Sequence, residues 1–96
     1  MEIKQPLESV LQRNYDAVVS RGLISKNTLT YEFLEKLLEE VDEVKIELVM
    51  DNKENLASEL TDVLCVCSNW LIHKGFNPIE LLIKNAEKNE KRGRSE

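Results

Sequence analysis

The fold is decided by residues 37–62, LLEEVDEVKIELVMDNKENLASELTD. Two segments of this stretch share one pattern. LLEEVDEV, residues 37–44, aligns with LASELTDV, residues 56–63, and each has an acid at its fourth and seventh positions. Leucine and valine recur between the acids at helical spacing, and Asp51-Asn52-Lys53 predicts a turn between the segments. The stretch therefore predicts a hairpin of two acidic helices.

The four acids of this repeat are predicted to face one another. Glu40 and Glu43 are three residues apart, as are Glu59 and Asp62, so each pair lies on one side of its helix. If the helices pack antiparallel about Asp51, Glu40 is level with Asp62, and Glu43 is level with Glu59. Four carboxylates in one place repel each other unless a cation lies between them, and Mg²⁺ prefers oxygen ligands. The pattern therefore predicts a metal site.

A second explanation of the acids is a solvated surface, because charged residues normally lie exposed on helices. The repeated spacing and the few lysines nearby, Lys45 and Lys53, favour the metal site. Glu47, one turn beyond Glu43, could add a further carboxylate. On the second explanation the chain is a helical interaction module without catalytic activity.

The composition predicts one small all-α domain. With 96 residues, three glycines, two prolines and no alternating strand pattern, we expect a four-helix bundle over residues 1–92. We expect oligomerisation, as a homodimer or homotetramer, to complete its core, and residues 93–96 to form a disordered tail. The net charge of −5 argues against a nucleic-acid partner. No apolar run resembles a signal peptide or a membrane span, so we expect a cytoplasmic protein without membrane contact.

Turn and cap residues predict where the helices begin and end. Gly22 and Gly75 are expected to close helices in the left-handed conformation, and Thr30, Asn52 and Asn77 to cap the N-termini of the next ones. The expected elements are a helix from Pro6 to Arg21, a connector over residues 23–29, and helices over about 30–50, 54–74 and from Pro78 onward.

Apolar periodicity predicts which side chains face the core. The expected inward residues of the second helix are Leu34, Leu37, Val41, Val44 and Leu48. Those of the third helix are Leu56, Leu60, Val63, Leu64, Cys67, Trp70 and Leu71. Leu23 and Ile24 of the connector are expected to pack against the bundle.

Other candidate functional residues have simpler explanations. His73, the sole histidine, is expected at the surface near a helix C-terminus, and Trp70 in the core or a subunit interface. Cys65 and Cys67 point to nearly opposite sides of a helix, so they are expected to be small buried hydrophobes without a disulfide. The sequence contains no Ser-His-Asp set or phosphate-binding loop motif.

The order and spacing of the acids match a known family. Glu39-Glu40-x-x-Glu43 followed by Glu59-x-x-Asp62 resembles the EExxE…ExxD signature of the MazG-like all-α nucleotide pyrophosphohydrolases, over about residues 30–92. Residues 75–78, GFNP, and residues 89–92, NEKR, also fit, since the family often ends in K-x-x-x-N-x-x-R. Asn85 stands where the family usually has lysine, so a neighbouring lysine would have to take that role.

The resemblance implies an activity and a set of roles. The activity is Mg²⁺-dependent hydrolysis of a nucleoside triphosphate, ribo or deoxy, to the monophosphate and pyrophosphate, with Mn²⁺ as a substitute and nucleotide-pool cleansing as one purpose. The roles are metal ligation by Glu40, Glu43, Glu59 and Asp62, water activation by Glu39 or Glu40, and phosphate binding by Lys84, Lys88, Asn89 and Arg92, which could come from a second subunit.

A related enzyme of the same scaffold and size is the phosphoribosyl-ATP pyrophosphohydrolase of histidine synthesis. That family usually carries a Ser-Tyr-Thr segment before its acidic helix, and this sequence lacks it. Phosphoribosyl-ATP is therefore the second expectation for the substrate, after the nucleoside triphosphates.

Overall fold

The computed structural model describes residues 6–94 and confirms the expected all-α architecture with four helices. No strand occurs within this range, and none of its helices is long and apolar enough to cross a membrane. The helices are α1 (Leu7–Ser20), α2 (Thr30–Met50), α3 (Lys53–His73) and α4 (Pro78–Arg94).

The cap residues explain most helix limits. Gly22 and Gly75 have φ values of +77° and +86°, as expected for glycines that end helices in the left-handed conformation. The Asn52 side chain accepts a hydrogen bond from the backbone N–H of Asn55 at 3.0 Å, which confirms Asn52 as the cap of α3. Asn77 caps α4 in the same way, through the backbone N–H of Ile79 at 2.9 Å.

The expected cap of α2 was wrong by one residue. Leu29 occupies the N-cap position, and Thr30 is the first helical residue. The carboxylate of Glu32 reaches back and accepts a hydrogen bond from the Leu29 N–H at 2.6 Å. Leucine has no side-chain acceptor for the first N–H groups of the helix. The bond from Leu29 to Glu32 therefore supplies one half of a capping box.

The α2–α3 hairpin is the centre of the fold. Only Asp51 and Asn52 separate the two helices, and Asp51 adopts the left-handed conformation with φ 55° and ψ 45°. So short a link places the helices antiparallel and side by side, and they form the most extensive helix pair of the molecule. α1 packs against α3 and α4, whereas α4 touches α1 and α3 but, among the described residues, not α2.

A small aromatic cluster joins the hairpin to the rest of the chain. Phe33 of α2, only 4 % exposed, stacks on Trp70 of α3 with ring centroids 5.9 Å apart, and its ring lies 4.9 Å from that of His73. The expected surface position of His73 was wrong. Its Nδ1 lies 3.2 Å from the hydroxyl of Tyr15 in α1, and its Nε2 lies 3.0 Å from the carbonyl oxygen of Thr28 in the connector.

The contact with Thr28 defines the position of one proton on the imidazole. A carbonyl oxygen only accepts, so Nε2 carries a proton and donates to Thr28. The other ring nitrogen, Nδ1, pairs with the Tyr15 hydroxyl. His73 is half-buried because α1 and the connector converge on the end of α3. It therefore ties three parts of the chain together.

Four of the leucines expected to face the core are exposed instead. They are Leu34 (39 %), Leu48 (61 %), Leu60 (48 %) and Leu64 (69 %). Within residues 6–94, α2 packs against α3 alone, and the packing of α1 and α4 on α3 leaves these leucines uncovered. In the connector, Ile24 is buried as expected, but Leu23 is 61 % exposed.

Two further expectations concern the cysteines and the tail. Cys65 and Cys67 are free and half-buried, as expected for thiols on different sides of one helix, and burial raises the pKa of the Cys65 thiol. The expectation of a disordered tail over residues 93–96 was wrong for Gly93 and Arg94, because α4 continues to Arg94. Residues 95 and 96, like residues 1–5 of the expected domain, lie outside the described range.

Candidate metal centre and adjoining cleft

Three carboxylates converge where α2 packs against α3. Glu40 and Glu43 of α2 and Glu59 of α3 each offer a carboxylate oxygen, and these three oxygens lie within 4.8 Å of one another. The three residues form what we call the acidic triad. α2 supplies two members because residues three apart share one side of a helix, and the short turn brings α3 alongside.

Burial distinguishes the acidic triad from an ordinary acidic surface. Glu40 is only 6 % exposed. One carboxylate oxygen of Glu40 and one of Glu59 are shielded from solvent and have no hydrogen-bond partner within residues 6–94. A shielded carboxylate without a partner is costly, so native proteins pair such groups with protons, cations or metals. The available donors are carboxylate oxygens, the ligand type that Mg²⁺ and Mn²⁺ take.

The repulsion within the triad makes one of its carboxyl groups hold a proton more tightly than an ordinary glutamate. The pKa of Glu59 is raised from its ordinary value of 4.5 to about 7, first by hydrogen bonding with Glu43, then by burial, and then by the charges of Glu43, Asp62 and Glu40. Near neutral pH the site therefore takes up a positive charge readily. A metal ion supplies such a charge.

Lys36 provides a positive charge at the site, and the sequence analysis did not predict this role. Its Nζ lies 3.0 Å from a carboxylate oxygen of Glu40 and 3.5 Å from one of Glu39. The hydrogen bond with Glu40 is the main reason that the pKa of Lys36 is raised. The signal was present in the sequence, because Lys36 and Glu40 are separated by one helical turn.

The other predicted acids lie at the edge of the triad. Asp62 is exposed and outside the triad, although its charge reaches Glu59. Glu39 is exposed and turned toward Lys36. Glu47 is half-buried and has one shielded carboxylate oxygen without a hydrogen-bond partner in the described chain.

A cleft of about 430 Å³ adjoins the triad. The end of α1 and the connector form one wall, and α2 and α3 form the other. Glu40, Asp62 and Lys36 line the cleft together with Ile24, Thr28, Phe33, Val66 and Asn69. Clefts of this size and of mainly apolar lining with a few polar groups are typical of small-molecule sites.

The predicted phosphate-binding residues lie elsewhere in the chain. Lys84, Lys88, Asn89 and Arg92 are exposed on α4, and none of them lines the cleft. α4 packs against α1 and α3, so within the described part of one chain it does not approach the α2 side of the triad. The Asn89 amide instead donates to the side chain of Asn85 at 2.9 Å.

Fold and site together define the class of protein: an all-α bundle whose central hairpin presents clustered carboxylates beside a ligand-sized cleft. The family model described as phosphoribosyl-ATP pyrophosphohydrolase matches residues 15–89, a range that includes the triad, Asp62 and most of the cleft. The chain therefore belongs to the phosphoribosyl-ATP pyrophosphohydrolase family. No curated protein and no solved structure gives a significant match.

The family match supports the coarser part of the expected function. The family is one of pyrophosphohydrolases, enzymes that hydrolyse phosphoric anhydrides. It carries the name of the second expected substrate.

Proposed function

We propose that the protein is a Mg²⁺-dependent pyrophosphohydrolase that converts a nucleoside triphosphate and water to the nucleoside monophosphate and pyrophosphate. The observation that carries this proposal is the convergence of Glu40, Glu43 and Glu59. Glu40 and Glu59 each have a shielded oxygen without a hydrogen-bond partner in residues 6–94. The family match supports the reaction class.

In this proposal Glu40, Glu43 and Glu59 hold the metal, and Asp62 joins them when substrate and metal enter. The metal, when bound, neutralises phosphate oxygens and lowers the pKa of a coordinated water. Glu40 is better placed than Glu39 to orient the attacking water, because Glu40 is buried in the triad and Glu39 points outward to Lys36. The ammonium group of Lys36, 3.0 Å from a carboxylate oxygen of Glu40, holds that carboxylate in place.

We further propose that the active form is a homo-oligomer. The exposed leucines of the α2–α3 hairpin would pack against another copy, and Lys84, Lys88, Asn89 and Arg92 would approach the phosphates from a partner chain. Their exposure on α4 is compatible with contacts outside their own chain. Arginine suits this role because its planar group can bind two phosphate oxygens at once.

A second candidate substrate is phosphoribosyl-ATP. The name of the matching family favours it, and the bond to be cleaved would be the same phosphoric anhydride. Against it stands the absence of the Ser-Tyr-Thr segment that this family usually carries before its acidic helix. The two candidates differ in the substrate, not in the role of the triad.

One assay tests the activity and ranks the substrates. The purified protein is incubated with Mg²⁺ and each of the common ribo- and deoxyribonucleoside triphosphates, and separately with phosphoribosyl-ATP, and the products are identified. We expect pyrophosphate and a monophosphate. Turnover of phosphoribosyl-ATP far above that of every triphosphate would make the second candidate the correct one.

Two variants show whether the triad performs the reaction. Glu43→Gln should lower kcat/KM by roughly a hundredfold or more, since even residues that only support metal ligands cost ten- to a hundredfold when changed. Glu35→Gln, an exposed acid on the same helix, is the matched control and should retain full activity. Orthophosphate as the only product, or equal activity of the two variants, would contradict the proposal.

A further inference from the structure

Asn69 is a buried polar residue that neither the triad nor the fold explains. It lies on α3, is only 5 % exposed and lines the cleft. Its side-chain oxygen is shielded from solvent and has no hydrogen-bond partner among residues 6–94. Buried amide groups in native proteins are nearly always hydrogen-bonded, so an amide left unpaired at the wall of a cleft indicates a ligand that completes it.

The position of Asn69 relates it to the acids that line the cleft. Asp62 and Asn69 are seven residues apart on α3, which places them on one side of the helix with a rise of about 10 Å between them. A nucleotide whose phosphates lie at Glu40 and Asp62 would then have its sugar along this rise and its base beside Asn69. Both ends belong to the same cleft.

The surroundings of Asn69 suit a flat heteroaromatic ring. Phe33, Val66 and Ile24 line the same cleft and offer apolar surface to the faces of a ring. A carboxamide presents a donor and an acceptor side by side, and the edge of a nucleobase presents the complementary pair. Rotation of the amide exchanges its oxygen and nitrogen without changing its size, so Asn69 can match either order of donor and acceptor.

The connector, which forms part of the cleft lining, is hydrogen-bonded to α3 before any ligand binds. Thr28 lines the cleft, and its carbonyl oxygen accepts the hydrogen bond from His73 at 3.0 Å. The connector therefore cannot move away from α3 without breaking this bond and leaving the imidazole unpaired. A preformed slot of this kind favours a ligand of defined shape.

We infer that Asn69 recognises the hydrogen-bonding edge of the substrate's base and thereby determines which base the enzyme prefers. The inference rests on the proposed function and adds a specificity residue to it.

The experiment compares base preference in two variants of the full chain. Asn69→Ala removes the amide, and Asn69→Asp keeps its shape but replaces the donor NH₂ by an oxygen. KM and kcat are measured with Mg²⁺ for ATP, GTP, CTP and UTP. We expect Asn69→Ala to raise KM for the preferred base about tenfold or more, with a smaller change in kcat. The differences in kcat/KM between the four bases should become smaller. Asn69→Asp should change the order itself.

Ser68→Ala is the matched control. Ser68 is 7 % exposed and also has a shielded oxygen without a partner among residues 6–94, but it does not line the cleft. Its variant should leave the ratio of kcat/KM between bases unchanged. If Asn69→Ala has the same ratios of kcat/KM between bases as the wild type, the inference is overturned. The proposed pyrophosphohydrolase activity would not be affected by that result.

A measurement on the wild-type protein makes the test independent of how the variants fold. Adenosine, guanosine, cytidine and uridine, which lack phosphates, should inhibit competitively in the same order as the triphosphates are preferred. Nucleosides that do not compete, or that compete in another order, would also overturn the inference. Failure of the wild type to hydrolyse any nucleotide would remove the proposed function, and the inference with it.

Discussion

Glu59 releases its proton at a higher pH than an ordinary glutamate, and this makes the stability of the protein depend on pH. The folded chain keeps the proton up to a pKa of about 7, whereas the unfolded chain releases it near 4.5. Between these values Glu59 binds more protons in the folded state than in the unfolded one. Its contribution to the free energy of unfolding therefore falls as pH rises from 4.5 to 7 and is constant above. The metal-free wild type should therefore lose stability over this window.

The comparison with Glu59→Gln isolates this effect from the other acids. We expect the free energy of unfolding of the wild type, minus that of Glu59→Gln, to decrease as pH rises from 4.5 to 7, measured by urea denaturation with EDTA present. Glu54→Gln, an exposed acid on α3, is the control and should give no such trend. A difference that does not vary with pH would show that Glu59 titrates normally.

Spacing alone was enough to bring together Glu40, Glu43 and Glu59, because residues three apart share a helix side and the turn sets the level of the two helices. Lys36 and Asn69 were missed for different reasons. Lys36 and Glu40 have the one-turn spacing of any surface ion pair on a helix, and this spacing does not show that Glu40 is buried. Asn69 is a candidate only because it lines the cleft, and residues of the connector form part of that cleft. Helical periodicity does not predict the path of a connector.

At the level of elements, the Tyr15–His73–Thr28 chain of hydrogen bonds connects α1, α3 and the connector. Tyr15→Phe removes the hydroxyl and leaves Nδ1 of His73 without its hydrogen-bond partner. We expect a loss of about 1 kcal/mol in the free energy of unfolding, the usual contribution of a partly buried hydrogen bond. Urea denaturation measures this loss.

Tyr31→Phe serves as the matched control, because Tyr31 is 65 % exposed. Its effect should stay within about 0.5 kcal/mol, as for most surface substitutions. Equal stability of Tyr15→Phe and the wild type would mean that His73 does not hold the connector. In that case the cleft wall would be mobile rather than fixed.

Cap and turn residues predicted the helix limits well, since Gly22, Asn52 and Asn77 act through local backbone chemistry. The faces of the helices were predicted less well. Leu34 and Leu60 have the periodicity of core residues, yet they lie exposed. Periodicity shows which side of a helix is apolar, but it does not show whether the same chain or another one covers it.

For the whole molecule, much of the apolar surface of residues 6–94 is exposed. Among the apolar side chains of residues 6–94, only Ile24 and Phe33 are buried, while leucines on the open side of the hairpin stay exposed. Small domains commonly complete such a core by association. We therefore expect sedimentation to give a mass of at least two chains.

Leu64 tests which surface associates. It lies on the open side of α3 and is 69 % exposed, so a charge there should weaken the interface. We expect Leu64→Glu to shift the sedimentation equilibrium toward the monomer. Leu7→Glu, comparably exposed at 57 % but on α1, should leave the mass unchanged. A monomeric wild type, or an unchanged mass for Leu64→Glu, would contradict this assignment of the surface.

The central claim is that Glu40, Glu43 and Glu59 bind a divalent metal, and a Mn²⁺ titration followed by electron paramagnetic resonance tests it most directly. We predict saturable binding to the wild type and to Glu35→Gln, and a loss of roughly tenfold or more in affinity for Glu43→Gln. Binding should tighten as pH rises toward 7, because the proton shared with Glu59 must leave. No binding by the wild type, or equal binding by all three proteins, would contradict the claim.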